Sequence, residues 1–194
     1  MNEFQIASYV SRFVFGRRCL LLVDRCTWTG HEADILAVTN DLRLIDVEVK
    51  ISRSDFKADA KKDKWWMRRY GAYNPAGLTA EAKQPRVDTA RLHPPRVWKH
   101  YFAMPEEVWS DDLTEFLPSA ASGVILVKTD VKGRQPAGRP AYPDAPRGHK
   151  VIRRAKPDRN AYRLSAEQAV DIARLAGLRM WDAYDRAIGR ETQP

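Results

Sequence analysis

Apolar residues recur along this chain in two periods, and the switches between them lay out the elements. Phe4, Ala7, Tyr9, Val10, Phe13 and Val14 stand at mostly helical spacing and predict a first helix over 3–15, ending near Gly16. Residues 19–24 (CLLLVD) and 33–38 (ADILAV) are short apolar runs whose length favours strands. Residues 42–51 (LRLIDVEVKI) alternate. Leu42, Leu44, Asp46, Glu48 and Lys50 share one face, while Arg43, Ile45, Val47, Val49 and Ile51 share the other. The second face is almost wholly aliphatic and is predicted to pack on a helix.

Beyond this strand, Ser52 is placed to cap a helix, with Asp55 three residues on in capping-box position. The helix is predicted over about 53–70, carrying Lys57, Lys61, Lys62, Lys64, Arg68 and Arg69 with Trp65, Trp66 and Tyr70 interleaved. Residues 71–96 are polar and broken by Pro75, Pro85, Pro94 and Pro95, which predicts a surface excursion with one short helical piece around 78–84. Strands follow at 97–103 and 123–128, with a helix over 105–117 between them, opened by Pro105 and the acidic pair Glu106 and Glu107. A second proline-punctuated excursion covers 131–148, and a short strand is expected at 150–154. Ser165 caps the last helix, with Gln168 at the box position. Ala169, Ile172, Ala176, Met180, Ala183 and Ala187 form its apolar stripe, and 190–194 is a tail. The mixed order of helices and strands predicts an α/β fold, a central mixed β-sheet flanked by helices, in a single domain over 1–189.

The hairpin between the second and third strands carries a sharper expectation. Opposed residues in a hairpin have numbers of constant sum. A two-residue loop at Asn40-Asp41 gives 81 and sends Asp34 and Glu48 to opposite faces. A three-residue loop at 40–42 gives 82 and sets Asp34 across from Glu48. An odd-length loop or a bulge is therefore expected if the two carboxylates are to work together.

Composition narrows the partners. The net charge is +8 and the pI about 9.6, a balance that favours polyanions, nucleic acid foremost, although a merely solvated basic surface has the same sign. Cys19 and Cys26 are the two cysteines, and with no CxxC pair or Cys/His cluster a zinc site is not expected. The longest strongly apolar run, Cys19 to Val23, is too short to cross a bilayer, and no secretory signal pattern opens the chain. A cytoplasmic protein with no membrane partner is expected.

Asp34, Glu48 and Lys50 are the candidate chemistry. Two carboxylates without a thiol or imidazole are hard oxygen donors suited to Mg²⁺ or Mn²⁺. Such an ion neutralises phosphodiester charge and activates water, and a lysine beside it orients that water or stabilises the transition state. E-x-K alone is satisfied equally by a strand-end ion pair.

The segment from Gly30 to Trp65 resembles the core of the PD-(D/E)XK nuclease superfamily, and more narrowly is similar to the MmcB-like DNA repair proteins. The matching residues are Ala33-Asp34, Val47-Glu48-Val49-Lys50, Ser52-Arg53-Ser54-Asp55-Phe56, Asp59 and Lys64-Trp65, with looser matches at 97–128. The resemblance implies a restriction-endonuclease-like core and metal-dependent hydrolysis of nucleic acid, with DNA favoured over RNA. It implies that Asp34 and Glu48 bind Mg²⁺ or Mn²⁺, that the Val49 carbonyl adds a ligand and that Lys50 is the catalytic lysine. Ser52, Lys57, Lys61, Lys64, Trp65 and Arg68 are the candidate nucleic-acid contacts on the basic helix, Lys64 first among them. One of the two adjacent tryptophans is expected in the core. Glu3 and Glu32 are possible extra ligands, each read first as a surface charge. The alternative function is a non-catalytic nucleic-acid-binding protein that keeps the fold as a scaffold. His31 receives no role.

Overall fold

The computed structural model describes residues 1–69, 87–128 and 146–191, apart from the side chains of 68, 69, 87 and 189–191. Asn2 opens the chain's first helix, α1 (Glu3–Val10): its side chain accepts the Gln5 N–H, and the Gln5 side chain accepts the Asn2 N–H, a reciprocal cap. The helix continues as a π-helical turn over Ser11–Phe15 that ends at Gly16. Three strands follow: β1 (Cys19–Cys26), β2 (Ala33–Thr39) and β3 (Leu44–Val49). They form an antiparallel meander.

After β3 come helix α2 (Arg53–Asp59), a small hairpin of β4 (Trp66–Arg69) and β5 (Val87–Ala90), and then β6 (Val97–Pro105) and β7 (Gly123–Lys128). Strand β8 (Gly148–Arg153) and helix α3 (Ala166–Glu191) complete the described chain. The main sheet has six strands in the order β1-β2-β3-β6-β7-β8. Its centre, β3-β6-β7, is parallel, and both flanks are antiparallel. This is an α/β chain with a mixed central sheet flanked by helices.

A central sheet needs cover on both faces, and the two faces are covered differently. Ile45, Val47 and Val49 of β3 pack with Ile35, Ala37, Ala103 and Ile125 under Ile6, Tyr9 and Val10 of α1. The aliphatic face of the third strand thus meets a helix, as its alternation predicts. On the opposite face Leu36, Val38 and Leu44 pack with Leu164 and with Ile172 of α3, while Phe102, Met104, Val124 and Leu126 meet Phe56 of α2 and Trp65. The gap between those two clusters holds the polar residues of β3.

Several boundaries differ from the sequence expectation. The helix expected over 53–70 stops at Asp59, passes through a short 3-10 turn at Asp63–Trp65 and becomes strand β4. The cause is tertiary: Asp59 and Trp65 are both buried, and the Trp65 indole N–H donates to Asp59 Oδ2 at 2.9 Å, which requires the chain to turn back on itself between them. The helix expected over 105–117 is two 3-10 segments, Glu106–Val108 and Asp111–Phe116. Strand β5 lies inside the excursion expected at 71–96; the short helical piece proposed at 78–84 and most of the 131–148 excursion lie outside the described residues. Helix α3 runs through Glu191, into the expected tail. Its cap is as predicted: Ser165 Oγ accepts the Gln168 N–H at 3.2 Å, and Gln168 Oε1 accepts the Ser165 N–H at 2.9 Å.

One glycine in the sheet is sterically required. A Cβ on Gly123, at the start of β7, would run into the ring carbons of Tyr101 and lie 2.7 Å from the Ala155 nitrogen. Gly123→Ala is expected to cost about 1–3 kcal/mol, the range for overpacking a filled site. Urea unfolding measures it, and a loss below about 0.5 kcal/mol, the scale of an ordinary surface change, would mean that both the Tyr101 ring and the backbone at Ala155 give way.

Candidate active site

The hairpin register decides what Asp34 meets. Strands β2 and β3 pair Val38 with Leu44 and Ile35 with Val47, so opposed numbers add to 82. The loop is the three-residue form. Thr39 N–H bonds Arg43 O at 2.9 Å, Leu42 N–H bonds Thr39 O at 2.9 Å, and Leu42 takes the left-handed conformation (φ 59°) that closes such loops. Asp34 and Glu48 therefore lie on one face of neighbouring strands. The ladder proper ends at Ile35–Val47. Past it the Val49 N–H is taken by a side chain, Asp34 Oδ2 at 2.6 Å. On the other side of β3, Lys50 N–H bonds Ala103 O at 2.9 Å, and two residues on in β6 stands Pro105, which has no N–H to continue the ladder. The strands part where the carboxylates and Lys50 gather.

Glu48 and Asp59 are buried, and three ammonium groups surround them. Lys50 Nζ lies 3.2 Å from Glu48 Oε2 and 3.1 Å from Asp59 Oδ1. Lys62 Nζ lies 2.7 Å from Asp59 Oδ1 and 3.5 Å from Glu48 Oε2. Lys64 Nζ forms a close ion pair with Glu48 Oε1 and stands 3.9 Å from Asp59 Oδ2. Lys50 and Lys64 are buried, and Lys62 is half exposed. Burial alone would raise both carboxyl pKa values. The lysines overcome it, holding Glu48 below its ordinary value and Asp59 far below. Lys50 is likewise held above the ordinary lysine value by Asp59 and Glu48 against the opposing effect of burial.

Asp34 behaves in the opposite sense. Burial, and then the Glu48 charge, push its carboxyl up to about 7, against the pull of the Val49 N–H. Glu3 on α1 adds a smaller repulsion, so the helix brings that exposed carboxylate within electrostatic reach of Asp34. The residue assigned as a possible extra ligand is thus near the site, whereas Glu32 is exposed.

A second polar set lies one step back on β3. Asp46, fully buried, meets His31 Nε2 at 2.9 Å, and Thr29 Oγ1 lies 3.2 Å from His31 Nδ1. Burial raises the Asp46 carboxyl despite that bond. Across the parallel pair stands His100, also buried, packed edge-on against Trp65 and Phe102 and held neutral by burial. Asp46, Asp59, Lys62 and His31 received no role from the sequence. Alternation already put Asp46 on the face of Glu48 and Lys50, so that signal was present. Nothing local foretells the approach of His31 or Lys62.

The expected nucleic-acid contacts divide. Ser52 caps α2, its Oγ accepting the Asp55 N–H at 3.2 Å. Lys57 is exposed, with Nζ 4.1 Å from the Phe116 ring centroid, and Lys61 is exposed. The Arg68 side chain lies outside the described residues. Lys64 and Trp65 are corrections. Lys64 is spent on Glu48, and Trp65 is 1% exposed, so neither presents a surface to a nucleic acid. Of the adjacent pair, Trp66 is the one open to solvent, at 36%. Among the described residues no set of three His, Cys, Asp or Glu side chains is placed to hold a metal ion, and Asp34 with Glu48 makes a pair.

Among the described residues no helix is long and apolar enough to cross a membrane. No model of a protein family matches the chain, and no curated protein matches it in sequence. In structure the chain is similar to the SPO1766 protein of unknown function from Silicibacter pomeroyi, at 15% identity and a TM-score of 0.51, over 97% of this chain and 92% of that one. At that identity the likeness is one of fold alone.

Proposed function

We propose that the chain is a Mg²⁺- or Mn²⁺-dependent nuclease of the PD-(D/E)XK kind, akin to the MmcB-like proteins, that hydrolyses DNA phosphodiester bonds. A restriction-endonuclease-like core is part of the same reading. The observation that carries it is the register: the three-residue loop sets Asp34 across from Glu48, with Lys50 two residues on and on the same face.

The donor set fits a hard divalent ion. Asp34 and Glu48 offer carboxylate oxygens from adjacent strands, and Asp34 is pushed up to about 7 beside Glu48, a repulsion that a cation relieves. Mg²⁺ is commonly held by one or two carboxylates with water in the other positions, so a pair suffices, with the Val49 carbonyl as a third candidate. When bound, the ion supplies charge against the phosphodiester and an activated water. Lys50, held between Glu48 and Asp59, keeps its proton and is positioned to stabilise developing negative charge. Lys62, paired with Asp59 at 2.7 Å, is the solvent-exposed member of the lysine set and the one a phosphate meets first.

A second reading has one observation in its favour. Both Glu48 oxygens are met by lysines, which is the arrangement of a structural ion cluster, and a non-catalytic nucleic-acid-binding protein would keep it. Cleavage assays on single-stranded, duplex and branched DNA with Mg²⁺ or Mn²⁺ separate the two. Cleavage by the parent chain that is lost in Asp34→Ala and in Lys50→Ala supports the nuclease. Cleavage that survives both changes removes the proposed site, and DNA retention without cleavage selects the scaffold.

A further inference from the structure

The face of the sheet that carries α1 holds a cleft of about 840 Å³ with no link to the carboxylate site. Its floor is apolar and aromatic: Phe13, Phe15, Tyr101 and Ile125. Tyr101 and Phe15 meet edge to face at 5.8 Å. Around it stand Arg12, Arg17, Arg18, Lys99 and Arg154, with His149 beside them and no acidic residue in the lining. These cations come from four separate elements. Arg12 is on the π-helical turn, Arg17 and Arg18 are in the turn into β1, Lys99 is on β6 and Arg154 follows β8. The four arginines have no acidic partner among the described residues. Asp41, whose charge reaches Lys99, is paired with Arg43 at 3.1 Å. Burial first and then the Arg154 charge hold Lys99 below the ordinary lysine value, against a smaller opposing pull from Asp41.

We propose that this cleft binds a nucleotide bearing two or more phosphates, with the phosphates among the guanidinium groups and the base against the aromatic floor. The volume falls in the range of about 300–1,000 Å³ usual for small-molecule sites. Guanidinium groups match phosphate oxygens in pairs, and several directed at one concavity suit a compact polyphosphate. A nucleic-acid strand would ask for cations laid out along a track with successive stacking platforms. Glu48 pairs with Phe102 on the opposite face of the sheet, so the cleft stands independently of the nuclease reading.

Isothermal titration of the full chain with ATP, pyrophosphate, adenosine and a single-stranded oligonucleotide tests it. Saturable binding of ATP is expected, with weaker binding of pyrophosphate at the same site and none of adenosine. Arg18→Glu and Arg154→Glu each reverse an exposed charge and are expected to weaken ATP binding at least tenfold with an unchanged melting temperature. Asp34→Asn is expected to leave ATP binding as it was. Absence of ATP binding, equal affinity in both arginine variants, or binding of the oligonucleotide alone overturns the proposal.

Discussion

On the proposed nuclease reading, Asp34→Asn is expected to abolish DNA cleavage and, in the same molecule, to raise thermal stability above neutral pH. The two effects have one origin. In the folded chain the Asp34 carboxyl is raised from 3.8 to about 7, by burial first and by Glu48 second. At a pH below about 4 the group is protonated in both the folded and the unfolded chain and contributes nothing to the pH dependence. As the pH rises from about 4 to 7 the unfolded chain releases the proton while the folded chain keeps it, so stability falls, and above about 7 the whole cost is present. Asn removes the titration and keeps an oxygen to accept the Val49 N–H. Asp34 is partly open to solvent, so screening reduces the gain to about 1–2 kcal/mol. Melting curves of parent and variant should coincide near the acid end and separate as pH rises. Mg²⁺ is expected to raise the melting temperature of the parent and not of the variant, because a ligand stabilises only the state it binds. A variant less stable than the parent at about pH 8 would contradict the strain assigned to Asp34.

Asp59→Ala is expected to be the most destabilising single change near the site, at about 3–5 kcal/mol, the cost of taking one partner from a buried ion pair. Asp59 is fully buried and stands beside Lys50, Lys62 and Lys64 while accepting from the Trp65 indole. Its loss leaves two buried ammonium groups to share Glu48 and leaves the indole N–H unpaired. Against the ~5–15 kcal/mol that holds a typical domain together, this is a large fraction. Asp55→Ala is the control. Its carboxylate is 3.8 Å from Lys50 but exposed, and its loss should cost less than about 1 kcal/mol. Urea unfolding measures both, and near-equal losses would show that the cluster does not depend on Asp59.

The contrast between these two carboxylates shows where local reasoning stops. Lys57, Lys61, Lys64 and Arg68 recur at helical spacing, and as a local pattern they describe a basic helix with a solvated, DNA-facing stripe. In the folded chain the helix ends at Asp59, and of the lysines that follow, Lys62 and Lys64 turn onto Glu48 and Asp59 while Lys61 stays exposed. Spacing along one element says nothing about counter-charges brought in from another, and a buried carboxylate outweighs the small preferences that set helix length. Trp65 follows the same rule, since its indole finds its acceptor inside the protein.

From the sequence alone came the six strands of the main sheet, the aliphatic face of β3, the cap residues Ser52 and Ser165, the α/β class and the conditional register in which a loop of odd length joins Asp34 to Glu48. These rest on period and on chain geometry within a few residues, which a sequence states directly. Tertiary structure alone decided that the loop is the three-residue form, that β3 lies parallel to β6, that Lys62 and Lys64 close over Glu48, and that His31 meets Asp46. It alone gathered the basic cleft from four elements. Each of these is a meeting of residues distant along the chain, chosen by which buried charges and apolar faces must be satisfied together, and no local pattern encodes that choice.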